Sequence, residues 1–203
     1  MAIYFHHDDL PDGIDLGKEV AVDTETMGLN LHRDRLCLVQ LSAGDGNAHL
    51  VQIRPGGAEA KNLKALMTDP GVLKVFHFGR FDIAAIYRYL GVETAPVFCT
   101  KIASKLCRTS TDRHGLRDLC RELLGIEISK QQQTSDWGAE VLNDAQQQYA
   151  ASDVLYLHDL RQKLMPLVAR EDRTEIAERC FEYLPTRARL DLLGWEDVEI
   201  FHH

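Results

Sequence analysis

Two acids two positions apart, Asp23 and Glu25, close the otherwise apolar run VAVDTET (residues 20–26). Alternate side chains of a strand share a face, so both carboxylates project together while Val20 and Val22 turn the other way, into a core. Like charges this close raise each other's pKa unless a cation stands between them. Arg33 or Arg35 could supply that cation in an ordinary strand-end ion pair, and bound metal is the other solution. The run also has a faint likeness to the phosphatase pattern in which two aspartates bracket one residue, but Glu25 stands where the second Asp belongs.

A second acid lies within a helical pattern. In NDAQQQYAASDVLYLHDLRQKL, Ala145, Tyr149, Asp153, Leu157, Leu160 and Leu164 fall at three- and four-residue steps and share one face. Asp153 therefore interrupts an apolar stripe, and a buried carboxylate without a partner costs several kcal/mol. Tyr149 sits one turn before it, with its hydroxyl beside whatever the carboxylate binds. Asp82, in FHFGRFD, follows a buried strand and opens the next helix, where the helix dipole favours an acid for structural reasons alone. If these four acids converge, about two divalent cations are needed to hold them together. All-oxygen ligation selects Mg²⁺ or Mn²⁺, and two such ions serve in-line displacement at phosphorus.

The elements that must position these residues follow an α/β plan. Strand-like runs at 18–25, 35–44 and 47–53, separated by turns such as AGDGN, predict an antiparallel meander. A helical pattern closed by Pro70 and Gly71 comes next, then a buried strand over 72–78. The remainder reads as helices: RFDIAAIYRYLGV, TKIASKLCR, HGLRDLCRELLGI and a long segment from about Asn143 to Arg170. The polar loop SKQQQTSDWG (129–138) separates two of them, and the C-terminal stretch from about 185 to 203 carries Leu190, Leu192, Leu193, Trp195 and Phe201, an apolar surface for its own core or for another subunit.

A chain of 203 residues, 45% hydrophobic, suits one domain spanning 1–203. No run approaches the ~20 apolar residues of a membrane span, and the charged start MAIYFHHDDLPDG is unlike a secretory signal; a soluble cytoplasmic protein is expected. The five scattered cysteines predict free thiols, and the histidine doublets lack metal-site spacing. A net charge of -8 disfavours a broad surface for long polyanions, so any nucleic-acid substrate is expected to be short.

These motifs resemble the DEDD exonuclease superfamily, in its tyrosine branch: VAVDTETMGL supplies Asp23 and Glu25, HFGRFD supplies Asp82, and YAASD supplies Tyr149 and Asp153. The resemblance implies a ribonuclease-H-like exonuclease fold, with a mixed central sheet flanked by helices, and 3'-5' hydrolysis releasing 5'-monophosphates. It further implies that Asp23, Glu25 and Asp153 hold one catalytic ion, that Asp23 and Asp82 hold the second, and that Tyr149 orients the attacking water. Among ribonuclease D relatives, DRLCLVQLS, FCTKIASKL, TDRHGL, ISKQQQ and LDLLGW are most similar to the short bacterial oligoribonucleases of the nanoRNase C group. That likeness implies preference for RNA dinucleotides, including the linear di-GMP product, and a homo-octamer. Leu29 on an exposed turn is a candidate wedge against a base, and Thr26 a contact to the terminal ribose. His77, Arg80, Lys130, Gln133 and Ser135 are candidates for holding the substrate around its 5' phosphate. A 3'-5' DNA exonuclease acting in repair and a non-catalytic nucleic-acid-binding module are the competing functions.

Overall fold

The computed structural model describes residues 1–56, 59–129, 131–132, 134–198 and 200–202. Six strands form one mixed sheet: β1 (Ile3–His7), β2 (Glu19–Thr26), β3 (Leu36–Ser42), β4 (Ala48–Gln52), β5 (Leu73–Phe76) and β6 (Val97–Cys99), in the order β1-β4-β3-β2-β5-β6. The expected meander is present, since β2 pairs antiparallel with β3 and β3 with β4. The outer pairs, β1 with β4, β2 with β5 and β5 with β6, are parallel. Every residue of β3 is buried, as its near-continuous apolar sequence requires of a central strand. Thus the α/β class and the mixed, helix-flanked sheet of a ribonuclease-H-like fold are both realised.

Helices α1 (Lys61–Thr68), α2 (Arg80–Leu90), α3 (Thr100–Cys107) and α4 (Leu116–Leu119, extended by a π-helical turn over Cys120–Leu124) follow the strands. The segment read as one long helix is two: α5 (Asp144–Leu155) and α6 (Leu157–Arg170), broken at Tyr156, whose backbone (φ -108°, ψ 0°) leaves the helical region. Leu157, Leu160 and Leu164 are nevertheless fully buried, so the apolar stripe continues past the break. The last helix, α7 (Thr174–Leu190), buries Phe181, Leu184 and Ala188 and passes into a π-helical turn at Asp191–Trp195.

The main core runs between the sheet and the later helices, with Val20, Val22, Phe76, Ile83, Leu157 and Leu160 among its members. A smaller cluster of Cys37, Leu38, Leu50, Trp137, Leu142 and Ala150 lies where α5 packs across β2, β3 and β4, with Tyr149 against its edge. All five cysteines are free thiols, four of them buried. Among the described residues, no helix is long and apolar enough to cross a membrane.

Candidate active site

Strand β2 brings Asp23 and Glu25 to the end of the sheet on the face that α5 covers. Directly across the ladder, Asp23 pairs with Gln40 and Glu25 with Leu38. Between Glu25 and Thr26 the register slips, giving β3 one extra residue. Such a bulge bends a strand and re-aims its side chains, and here it falls beside a candidate metal ligand. From the layer above, α5 contributes Tyr149 and Asp153. Its start is secured by a capping box: the Asn143 side chain accepts from the Gln146 N–H at 2.9 Å, and the Gln146 side chain accepts from the Asn143 N–H at 3.0 Å. Gln146 also donates to the Asp136 carbonyl at 3.1 Å, tying α5 to the 129–138 loop, and the Trp137 ring leans on Tyr149 with centroids 6.0 Å apart.

One carboxylate oxygen from each of Asp23, Glu25 and Asp153 lies within 4.8 Å of the others. Asp82 stands beside this trio in the first turn of α2, where its Oδ1 accepts from the Thr24 hydroxyl at 2.6 Å and the Thr24 N–H at 3.1 Å. The sharp approach of β5 to α2 depends on Gly79, because a Cβ there would lie 2.6 Å from Phe76 Cβ. The four acids thus come from a strand and from helices on different layers, as their separation in sequence demands.

The electrostatics of the cluster call for a cation. Burial, and then the charges of Asp82, Asp153 and Glu25, push Asp23 well above the usual carboxylate range. Burial with the charges of Asp153 and Asp82 lifts Glu25 to about 9. Burial takes Asp82 and Asp153 to about 7, against the lowering effect of hydrogen bonds from Thr24 and Tyr149 respectively. The alternative of an arginine counterion is not realised: Arg33 pairs with Asp34, while Arg35 donates to the carbonyls of Leu36, Ile53 and Gly138. Gln40 supplies a neutral contact instead, its Nε2 donating to Asp23 Oδ2 at 3.3 Å while its own buried Oε1 finds no hydrogen-bond donor among the described residues. An oxygen-rich cluster that pairs with neither arginine fits a hard divalent metal. The Tyr149 hydroxyl hydrogen-bonds to Asp153, and burial followed by the nearby negative charges holds its pKa above the ordinary tyrosine value.

The other candidates are more dispersed. Leu29 is 86% exposed on the turn after β2, and the Thr26 hydroxyl donates to the Gly28 carbonyl at 2.5 Å. His77 Nδ1 lies 2.8 Å from the Thr100 hydroxyl; burial and then Lys101 lower its pKa to about 3, so it is a neutral ring. The Arg80 guanidinium is engaged by Asp191, through contacts of 2.5 and 2.7 Å, and by the Glu196 carbonyl. Ser135 donates to Gln132 Oε1 at 2.5 Å, whereas Lys130 and Gln133 lie outside the described residues. Thr24 and Gln40 belong to the site although the sequence does not single them out. Their only signals are a hydroxyl between the two acids and one amide in an apolar strand.

The 3'-5' exonuclease family model matches residues 9–169, and the chain belongs to this family. It is 38% identical over 166 residues to DNA polymerase I of Aquifex aeolicus (82% of this chain, 26% of the relative). With ribonuclease D of Gluconacetobacter diazotrophicus the identity is 35% over 156 residues (77% and 39%). The chain therefore spans well under half the length of these curated relatives. Among solved structures, Brucella melitensis NrnC bound to pGG superposes with a TM-score of 0.97 at 56% identity, covering 100% of this chain and 99% of that one. NrnC with bound Mg²⁺ gives 0.96 at 55% identity, with 100% of each chain covered. The narrow likeness to short nanoRNase C-type nucleases is thus realised in three dimensions.

Proposed function

We propose that this protein is a metal-dependent 3'-5' exoribonuclease that hydrolyses short RNAs, with dinucleotides including linear di-GMP as preferred substrates, to 5'-monophosphates. The observation that carries this reading is the close group of Asp23, Glu25 and Asp153 oxygens, with Asp82 alongside and the pKa values of Asp23 and Glu25 raised by burial and then by the neighbouring acids' charge. Asp23, Glu25, Asp82 and Asp153 would hold two Mg²⁺ or Mn²⁺ ions, which supply charge neutralisation at phosphorus and an acidified water. Tyr149, with its pKa raised, stays protonated at working pH; it donates to Asp153 and orients the water without acting as its base.

The dinucleotide preference draws support from the likeness to NrnC, which has been solved with pGG, and from an acidic chain with no need of long RNA. Leu29 is the proposed wedge against a base, with Thr26 at the ribose and His77, Arg80, Lys130, Gln133 and Ser135 near the 5' end. The protein acts in the cytoplasm, as a homo-oligomer and by family likeness an octamer. A DNA exonuclease is the second reading, favoured by the 38% identity to a DNA polymerase I. The deciding experiment is product analysis on 5'-phosphorylated RNAs of two to seven nucleotides and on matched DNAs, with Mg²⁺ and with EDTA. Dinucleotides should be consumed first, and EDTA or Asp23→Ala should abolish cleavage. Cleavage that survives EDTA, or faster hydrolysis of DNA, would refute the proposal.

A further inference from the structure

Each aspartate of the acid cluster rests on one side-chain donor: Asp82 on the Thr24 hydroxyl, Asp153 on the Tyr149 hydroxyl and Asp23 on the Gln40 amide. Gln40 is the least expected of the three. It is fully buried in the middle of β3, directly across the ladder from Asp23 on one side and from Leu50 on the other. Among the described residues its side chain makes one hydrogen bond, the 3.3 Å contact from Nε2 to Asp23 Oδ2, and its Oε1 has no donor.

Stability alone does not account for that arrangement. A buried amide oxygen left unpaired costs more than one long hydrogen bond contributes, and an apolar side chain of the same length would fill the position without that cost. Gln52 makes the contrast. It lies on the same face opposite Leu38, equally buried and also with an unpaired Oε1, but its Nε2 donates to the Ala139 and Glu140 carbonyls at 2.9 and 3.3 Å. Gln52 therefore fastens the segment after Trp137 to β4, whereas the Gln40 amide serves a carboxylate and nothing else. Residues that break the local pattern of a core collect at functional sites.

We propose that Gln40 is a positioning residue for the metal: its amide fixes the orientation of the Asp23 carboxylate, so that the oxygens are set before the cation arrives. This inference rests on the metal-dependent reading of the acid cluster. Asp23 is where such a brace counts most, because the charges of Asp82, Asp153 and Glu25 all press on it. Repulsion from three acids favours any rotation that carries its oxygens away from theirs, and a hydrogen-bond donor opposes that rotation. An arginine or lysine at this position would neutralise the cluster and compete with the ion. The neutral amide orients the ligand and leaves its charge to the metal, as the hydrogen-bonding partners of ligating carboxylates do.

The test pairs Mn²⁺ binding, followed by electron paramagnetic resonance of the free ion, with the thermal midpoint in EDTA, for the unaltered protein, Gln40→Met and Gln52→Met. Gln40→Met keeps the length of the side chain and removes both polar atoms. It should weaken Mn²⁺ binding roughly tenfold or more, the usual cost of losing a ligand's hydrogen-bonding partner, while the EDTA midpoint stays level or rises. Gln52→Met should do the reverse, lowering the midpoint and leaving the Mn²⁺ affinity unmoved. Gln40→Leu, a shorter apolar replacement, should match Gln40→Met and so exclude an effect of the methionine sulfur. Cleavage of a short RNA by Gln40→Met should return when Mn²⁺ is raised in proportion to the lost affinity. An unmoved affinity in Gln40→Met, or a midpoint that falls as far as in Gln52→Met, would overturn the role and leave Gln40 a packing residue. The two readings fail separately: an unaltered protein that binds no Mn²⁺ defeats the metal-dependent reading and this role with it, whereas normal binding that Gln40→Met does not disturb defeats only this role.

Discussion

Carboxylates gathered this closely, with neither Arg33 nor Arg35 to neutralise them, make the metal-free protein sensitive to pH in a defined direction. Asp82 and Asp153 are held near 7 and Glu25 near 9, each above its unfolded value. Between those unfolded and folded values the native state binds more protons than the unfolded chain, so stability falls as pH rises. In EDTA the thermal midpoint should decline from pH 5 to 9. The loss is on the order of a few kcal/mol, since each tenfold difference in proton affinity between folded and unfolded chain is worth about 1.4 kcal/mol. Mg²⁺ should flatten the curve by binding the native state alone, and Asp153→Asn should make the EDTA slope shallower. A level profile in EDTA would mean that a protein cation neutralises the cluster after all. The acids and Tyr149 were legible because their types and spacings are improbable in a core. Gln40 and Thr24 were not: a buried amide or hydroxyl announces its role only once its partner, here Asp23 or Asp82, is brought to it across the fold.

Elements position the site through a small number of cross-layer contacts, of which the Thr24–Asp82 bond is the clearest. It links β2 to the first turn of α2 and fixes the one acid that lies outside the close trio. Thr24→Val keeps the shape and the backbone N–H contact but removes the hydroxyl donor to a buried carboxylate. The expected cost is about 1–3 kcal/mol in thermal or denaturant unfolding, with a several-fold rise in the Mg²⁺ concentration needed for activity. Thr24→Ser should restore both. An unchanged Mg²⁺ requirement in the valine variant would show that Asp82 needs no such brace. The same scale explains which elements the sequence concealed. Strand β6 has three residues and runs directly into α3, too short for a period to show. Strand β1 is an edge strand with mostly half-buried residues, and its histidine doublet reads as polar decoration, although His6 contacts His49 of β4 at 3.1 Å. The break at Tyr156 has no Gly or Pro to signal it. By contrast β2, β3 and α2 declared themselves, because the burial of most of β2, all of β3 and one face of α2 leaves apolar runs and helical spacing in the sequence.

At the scale of the whole molecule, the apolar C-terminal stretch divides in two. Pro185 and Ala188 dock on the chain's own core, as one of the two alternatives required. Beyond them Leu193 is 67% exposed and Phe201 72%, and Trp195, Val198 and Ile200 are exposed as well. The turn that presents them is held firmly, with Asp191 paired to Arg80 and Arg187 and the carbonyls of Trp195 and Glu196 accepting from Arg187. Large apolar side chains on a braced surface, and not on a frayed end, are what a subunit interface requires. Arg80 joins that turn to the start of α2, which also carries Asp82, so assembly at the tail would reach the active site through one ion pair. Sedimentation of the intact protein at micromolar concentration should therefore give a species several times the 23.0 kDa chain mass. Leu193→Glu should shift the protein toward the monomer, because burying an unpaired charge at an interface costs several kcal/mol. Arg80→Ala, which frees the turn from α2, should lower cleavage of dinucleotides even in the fraction that remains assembled. A protein that sediments as a monomer yet cleaves dinucleotides at full rate would show that the exposed apolar turn serves something other than self-association.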